Sequence, residues 1–551
     1  MALSKMIIYQ VFTRLYGNRN TTRKEDGTIE ENGCGKMNDF TPSTLKKIRE
    51  MGVSHIWYTG IIRHATQTDY SAFGIPKNHP AIVKGKAGSP YAITDYYDVD
   101  PDLAVNVEKR MQEFELLIER THKAGMKVII DFVPNHVARQ YHSICKPEGV
   151  KDLGEDDNPQ NGFDPQNNFY YCPGQRFTPY FDLYHGEDNP YFEEPAKATG
   201  NDCFNNAPGM NDWYETVKLN YGVDYYAGRV GYFNPIPNTW GKMTDILLFW
   251  AKKGVDGFRC DMAEMVPAAF WHWATDKVKS VYPDKIFIGE VYNPAEYRNY
   301  LAAGFDYLYD KVGMYDTIRE VIRGNQSTHT ITSAWQQTDD IRDHMLYFLE
   351  NHDEQRIASS FFADNARKGV PGLIVSALLQ QNPLMIYFGQ EYGERGMDKE
   401  GFSGHDGRTT IFDYWSVDTL VRAFGHKLTK DEKAIKDIYN KVMNIACTEK
   451  AVAHGVSFDL MYVNSQYHRQ FAFLRKAGNE VLLVVVNFDD MPQTVNVTIP
   501  AHAFDYLNLK EKTLQTTDLL TGENLKLPLQ RDAAVSLHLP PLGALILKFK
   551  S

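Results

Sequence analysis

The sequence contains no C-x-x-C pair and no zinc-ligand spacing; its six cysteines, Cys34, Cys145, Cys172, Cys203, Cys260 and Cys447, are scattered along 551 residues. Such a distribution predicts neither a disulfide framework nor a structural zinc site. No apolar run approaches the roughly 20 residues that a membrane helix requires, so no transmembrane segment is expected. A secretory leader needs a basic start, an apolar stretch and a cleavage site, whereas a strand-like run, MIIYQVF, already begins at Met6. The chain as given is expected to be cytoplasmic. Basic charge is also short, 59 Lys and Arg against 70 Asp and Glu, for a net charge of -11. Nucleic acid and anionic membranes, which demand a basic face, are therefore not expected as partners. No internal repeat or low-complexity segment stands out.

What is present suits a large soluble protein. Hydrophobic residues make up 43% of the chain and mean hydropathy is -0.44, so a sizeable core goes with a wettable surface. The length predicts two or three domains. From residue 6 to about 395, short apolar runs alternate with amphipathic helical stretches, the grammar of a parallel sheet with crossover helices. TLKKIREMG leads into VSHIWYTGI, LLIERTHKAG into KVIIDFV, and ILLFWAKKG into VDGFRCD. Eight strands are predicted, at 6–12, 54–61, 127–133, 255–261, 285–291, 305–312, 344–350 and 384–389, the number that closes a (β/α)8 barrel. The stretch 137–225, rich in Asn, Asp, Pro and Tyr, reads as an irregular inserted domain. After a helix over 431–446 the texture turns to alternating strands, predicting a C-terminal antiparallel β-sandwich over 451–551. The barrel is then assigned to 1–136 and 226–450.

Barrels of this kind carry chemistry at the C-terminal ends of their strands. Four apolar runs end there in polar residues: DFVPNH (131–136), GFRCDMAEM (257–265), FIGEVY (287–292) and FLENHDEQR (348–356). A single carboxylate at a strand end is as often a salt bridge or a helix cap. Two Asp, one Glu and two His around one mouth form a concentration of like charge that folding stability does not explain. Arg259, two residues before Asp261, points to the same side of a strand and is expected to hold that carboxylate ionised. The 13% aromatic content, with 33 Tyr, supplies flat rings that suit the apolar faces of sugars.

These four runs, in this order, resemble the signature regions of the α-amylase superfamily, glycoside hydrolase family 13, and the resemblance spans the chain. It implies a retaining hydrolase of α-1,4-glucans such as starch, glycogen or maltodextrin, with Asp261 as nucleophile, Glu290 as general acid/base and Asp353 as the third carboxylate. His136 and His352 match the histidines that contact the same sugar. The segment GSPYAITDYY (88–97) makes Tyr91 the stacking platform, and Asp131 matches an Asp that supports the architecture. The same carboxylates serve glucanotransferases and exo-acting α-glucosidases of the family, and non-catalytic relatives are a reading from another class, one that three retained carboxylates disfavour.

Two departures stand out. Many relatives hold the inserted domain with calcium bound by an Asn, matched by Asn135, and an Asp from a segment resembling ETVKLNYG (215–222). There Lys218 replaces the Asp, and an ammonium cannot ligate calcium. The expectation is that Lys218 substitutes for the ion, joining carbonyls and Asn135, and that the chemistry requires no cofactor. The oxygen-rich loop 17–33 offers another place for calcium, without EF-hand spacing. Glu264 and Met265 stand where many α-amylases have Lys-His, which leaves the acceptor side open.

Overall fold

The computed structural model describes residues 5–183, 190–396, 402 and 404–551. Eight parallel strands, β1 (Ile7–Phe12), β2 (His55–Thr59), β3 (Lys127–Phe132), β4 (Gly257–Cys260), β5 (Ile286–Gly289), β6 (Tyr307–Tyr309), β7 (Met345–Phe348) and β8 (Leu384–Tyr387), close into one barrel, β8 pairing with β1. All eight fall inside the predicted spans and all are shorter. The predicted ends belong instead to the loops: Asp261 lies one residue past β4 and Glu290 one past β5. One further ladder bond still ties each to a neighbouring strand, Asp261 N–H to Phe132 O (2.9 Å) and Glu290 N–H to Cys260 O (3.1 Å). The two carboxylates therefore ride on backbone as fixed as the sheet itself.

Side-chain alternation sorts the strands into two faces. Outward residues such as Tyr9, Val11, Ile56 and Ile130 join the core beneath the helices. Inward residues Ile8, Trp57, Ile129, Ile288, Tyr309, Leu346, Phe348 and Met385 fill the barrel interior, a packed plug rather than a pore. The polar layer lies above this plug. Asp131 comes two residues after Ile129 and lies in register with Arg259 on β4. The helix Pro42–Glu50 illustrates how the units are joined: Thr41 accepts from Thr44 N–H at its start, and Gly52, at φ 96°, turns the chain toward β2.

The inserted stretch is less irregular than its composition predicts. His136–Ala138 pairs with Thr216–Lys218, Tyr171–Cys172 with Ala196–Lys197, and Val223–Asp224 with Val230–Gly231. These strands of two or three residues are too short to show a period, which is why the sequence pattern missed them. The last hairpin also runs across the boundary expected at 225.

The C-terminal domain sets a six-stranded antiparallel sheet against a two-stranded one, Gln493–Thr498 with Ala534–Leu539. It adds a helix, Ala501–Leu507, that the alternating pattern did not predict. The helix expected over 431–446 runs Lys430–Thr448, started by a Thr429–Glu432 capping box. Arg475 fastens this domain to the barrel. It is 1% exposed and donates to the carbonyls of Leu379, Ala451, Val452 and Gly455, carbonyls at or just beyond helix C-termini that lack internal partners. Among the described residues no disulfide joins any of the six cysteines.

Candidate active site

At the C-terminal mouth of the barrel the polar side chains converge on Arg259, which is 1% exposed. Its Nη1 donates to Asp261 Oδ1 (2.7 Å) and lies 3.6 Å from Asp131 Oδ1. Nη2 lies 2.8 Å from Glu290 Oε2, and Nε meets Tyr309 Oη at 3.1 Å. The rings of Trp57, Tyr91 and Tyr309 surround the guanidinium at 5.1–5.6 Å. A planar, permanently charged fork serves several carboxylates at once where an ammonium could not. Strand alternation alone puts Arg259 beside Asp261; the second contact, to Glu290, arises because β4 and β5 are neighbours.

One cation faces more carboxylates than it can neutralise, so protons are shared over the group. Burial raises Glu290, Arg259 opposes the rise, and the charge of Asp261 adds to it. Burial, rather than the neighbouring charges, is thus the leading reason for Glu290 to hold a proton. Burial also raises Asp261, against the pull of Arg259 and a contact with Glu290. Asp131, buried but bonded by Trp57 Nε1 (2.9 Å) and Tyr91 Oη (3.2 Å), is pushed up to about 7. Asp353 is raised by burial and then by Glu290 and Asp261, although its side chain is 40% exposed to the cleft, where water moderates the effect.

The two histidines are neutral. His352 is held well below its ordinary value by burial and then by Arg259; Gln10 Nε2 lies 2.9 Å from its Nδ1, leaving Nε2 to face Tyr91 Oη (2.7 Å) and Asp353 Oδ2 (3.1 Å). The Tyr91 ring stacks on His352 with centroids 5.1 Å apart. His136 is lowered to about 3 by burial and the Lys218 charge, and its ring lies 5.1 Å from that of Trp213.

Tyr91, His136, Asp261, Glu290, His352 and Asp353 all line one cleft of about 240 Å³. Arg259 and Asp131 sit beneath it. Its remaining walls, with Trp213 and Phe412 and the Lys84–Glu215 ion pair (3.0 Å), come from the inserted domain and from loops, where sequence reasoning had no signal. Gln10, Trp57, Tyr292 and Tyr309 were also missed. The period of two did carry a signal for Tyr292, which follows Glu290 by two residues and reaches back to it with a 2.6 Å hydrogen bond.

Residues 10–445 match the family model for the α-amylase catalytic domain, and residues 462–550 match the model for the α-amylase C-terminal all-β domain. The chain belongs to the α-amylase family. It is 24% identical to α-amylase 3 of Dictyoglomus thermophilum over 78% of this chain and 81% of that one. It is 23% identical to the α-amylase MalA of Haloarcula japonica over 94% of this chain and 58% of the relative, so it spans under two thirds of that protein's length. In fold it resembles the maltogenic α-amylase AmyB of Thermotoga neapolitana, with a TM-score of 0.65 at 20% identity over the whole of both chains.

This α-amylase-family chain does not fit a calcium ion at the place the resemblance implies. Lys218 Nζ lies 2.5 Å from Asn135 Oδ1, the oxygen that would ligate the ion, and 2.7 Å from Asp202 Oδ1. The second partner is thus the carboxylate of Asp202, not the backbone carbonyls expected from the sequence. Burial lowers the Lys218 ammonium and Asp202 supports it. Asn135 Nδ2 in turn donates to Gly200 O (2.8 Å), stitching the end of β3 to the inserted domain. In the loop 17–33 the side-chain oxygens of Asn18, Asn20 and Asn32 already accept from backbone N–H groups of the same loop. A cluster of Asp95, Asp98 and Cys145 is already met by Arg63 and Arg110. Among the described residues no helix is long and apolar enough to cross a membrane.

Proposed function

We propose that the chain is a retaining α-glycosidase of α-1,4-linked glucans in which Asp261 is the nucleophile, Glu290 the general acid/base and Asp353 the residue that grips the sugar hydroxyls. The observation that carries this reading is the unequal hold of Arg259. Burial raises both carboxyls, but Arg259 donates a 2.7 Å hydrogen bond to Asp261, favouring a carboxylate there, whereas Glu290, 2.8 Å from the other Nη, is raised further by the charge of Asp261. Protonated Glu290 gives its proton to the glycosidic oxygen as Asp261 attacks C1. Water, deprotonated by Glu290, then displaces Asp261, and two inversions restore the α configuration. Tyr91 and the neutral imidazoles of His136 and His352 line the cavity that receives the sugar, and no cofactor enters either step.

The test is turnover of maltoheptaose with the anomer of the product followed by NMR. Glu290→Gln is expected to lower kcat by about 10²–10⁴-fold and Asp261→Asn by at least as much, with initial release of the α anomer in the wild type. Retained activity in either variant, or release of the β anomer, contradicts the assignment. Glu264 lines a second cavity with Asp202, Arg229 and Glu296, an acidic wall expected on the acceptor side. Mixed short products indicate endo-hydrolysis, longer products transfer, and glucose alone exo-action.

We also propose that Lys218 takes the place of a structural ion between the barrel and the inserted domain. Its contacts with Asn135 and Asp202 support this. The native protein should keep its thermal midpoint in a chelator, whereas Lys218→Asp should become calcium-dependent. Stoichiometric calcium in chelator-treated native protein refutes the substitution.

A further inference from the structure

The two oxygens of Glu290 are not equivalent. Oε2 accepts from Met262 N–H at 2.8 Å and lies 2.8 Å from Arg259 Nη2. Met262 is held at φ 43°, ψ 44°, a left-handed conformation that a non-glycine residue rarely adopts and that goes with an amide aimed at the carboxyl. Both partners of Oε2 are donors and neither can accept, so a proton placed there meets an N–H and a cation. Oε1 faces the hydroxyl of Tyr292 at 2.6 Å, a group that can either accept or donate. Tyr292 is half-buried and lines the same cleft as Asp353.

We propose that Tyr292 is a positioning residue that makes Oε1 the oxygen through which Glu290 exchanges its proton, by accepting from the carboxylic acid and donating to the carboxylate. This rests on Glu290 being the general acid/base. In the first step the Oε1–H bond breaks and the proton passes to the glycosidic oxygen, while the C1–O bond breaks and the Asp261 Oδ–C1 bond forms. The Tyr292 hydroxyl then turns to donate to Oε1, stabilising the carboxylate through the life of the glycosyl-enzyme. In the second step water gives a proton to Oε1, its oxygen bonds to C1, and the bond to Asp261 breaks. Tyr292 neither loses nor gains a proton overall; burial and the charge of Glu290 raise its phenol far above any working pH.

The titratable and charged groups that face Glu290 are Arg259 and Asp261 from the end of β4, Tyr309 of β6, Asp353 beyond β7, His136 from the inserted side and Tyr292 itself. Among the hydrogen bonds to Glu290, those from Tyr292 and Met262 favour the carboxylate. Only the bond from Tyr292 can be deleted without touching the backbone.

The experiment is the pH profile of kcat/KM on maltoheptaose for wild type, Tyr292→Phe, Glu290→Gln and protein carrying 3-fluorotyrosine at position 292. Loss of the donor in Tyr292→Phe is expected to lower kcat/KM by about 10-fold or more, since a hydrogen bond to a charged group is lost. It should also move the basic limb to higher pH, because the carboxylate has lost support. The more acidic fluorophenol, a stronger donor, should move the same limb to lower pH, and it keeps the test open if Tyr292→Phe fails to fold. A uniform drop in rate with an unmoved limb, or fluorotyrosine and phenylalanine shifting it in the same direction, overturns the proposal. If Glu290→Gln keeps full activity, the acid/base assignment itself fails, whatever Tyr292 does.

Discussion

Replacing Arg259 with Met removes a buried cation while nearly conserving volume, and leaves Asp131, Asp261 and Glu290 facing one another. Two of the lost contacts are shorter than 3 Å and the third is 3.6 Å. Breaking a buried pair by removing one partner costs about 3–5 kcal/mol. The entropy of unfolding, about 2.1 cal/mol/K per residue, amounts to about 1.2 kcal/mol/K over 551 residues. The thermal midpoint at pH 8 should therefore fall by about 3–4 °C. The pH dependence is the sharper part. Without the cation, the folded-state pKa values of these carboxyls rise further above their unfolded values. A group of that kind contributes stability that is fully present below its unfolded value, near pH 4, and is lost as pH rises through the folded one. In the native protein Asp131 is already pushed up to about 7. The difference between Arg259→Met and wild type should thus widen from pH 5 to pH 8, and at pH 5 be under half its pH 8 size. Differential scanning calorimetry at one scan rate measures it directly. An equal difference at both pH values refutes the view that Arg259 is held there by uncompensated carboxylates.

The native pH–rate profile on maltoheptaose should have both limbs above the ordinary carboxylate values of 3.8 and 4.5, since both Asp261 and Glu290 are raised; an acid limb below 3.8 contradicts the site as described. Gly88→Ala puts a Cβ 1.7 Å from Ala65 O at φ 78°, so a loss of at least about 2 kcal/mol is expected, along with a raised KM because Tyr91 lies three residues on; an unchanged midpoint and KM would count against both. Trp57→Phe removes the 2.9 Å bond to Asp131 and should lower kcat/KM several-fold while circular dichroism stays native. Unchanged kinetics would show that Asp131 does not steady Tyr91.

The barrel was legible because each unit repeats the same physics, an amphipathic helix, a stop and a buried apolar strand, and because polar residues interrupt those strands only where they end. Asp261, Glu290 and Asp353 could be read for that reason. Arg259 could be read in part: alternation set its side of the strand, whereas its reach to Glu290 depends on β4 and β5 being neighbours, which no local pattern states. Lys218 was found through a substitution against the family pattern, yet its partner Asp202 lies 16 residues away in a segment without period. Trp213 and Phe412 enter the cleft from the inserted domain and from a loop beyond β8, where tertiary packing alone decides what meets what.

Arg475 has a consequence for how such chains are recombined. Its guanidinium is spent entirely on backbone carbonyls, one in the barrel at Leu379 and three at Ala451, Val452 and Gly455 where the chain enters the C-terminal domain, and burial brings it down to about 9. The C-terminal sheet is accordingly less a removable module than one side of a joint whose other side is the carbonyl ends of two helices, Val370–Leu378 and Lys450–Ala453. A truncation after residue 450 removes Arg475 together with the carbonyls of Ala451, Val452 and Gly455 and strands that of Leu379, whereas an exchange made after Gly455 for a domain lacking the arginine takes this donor from all four. Chimeras within the family should be cut so that the arginine travels with the helix ends it serves.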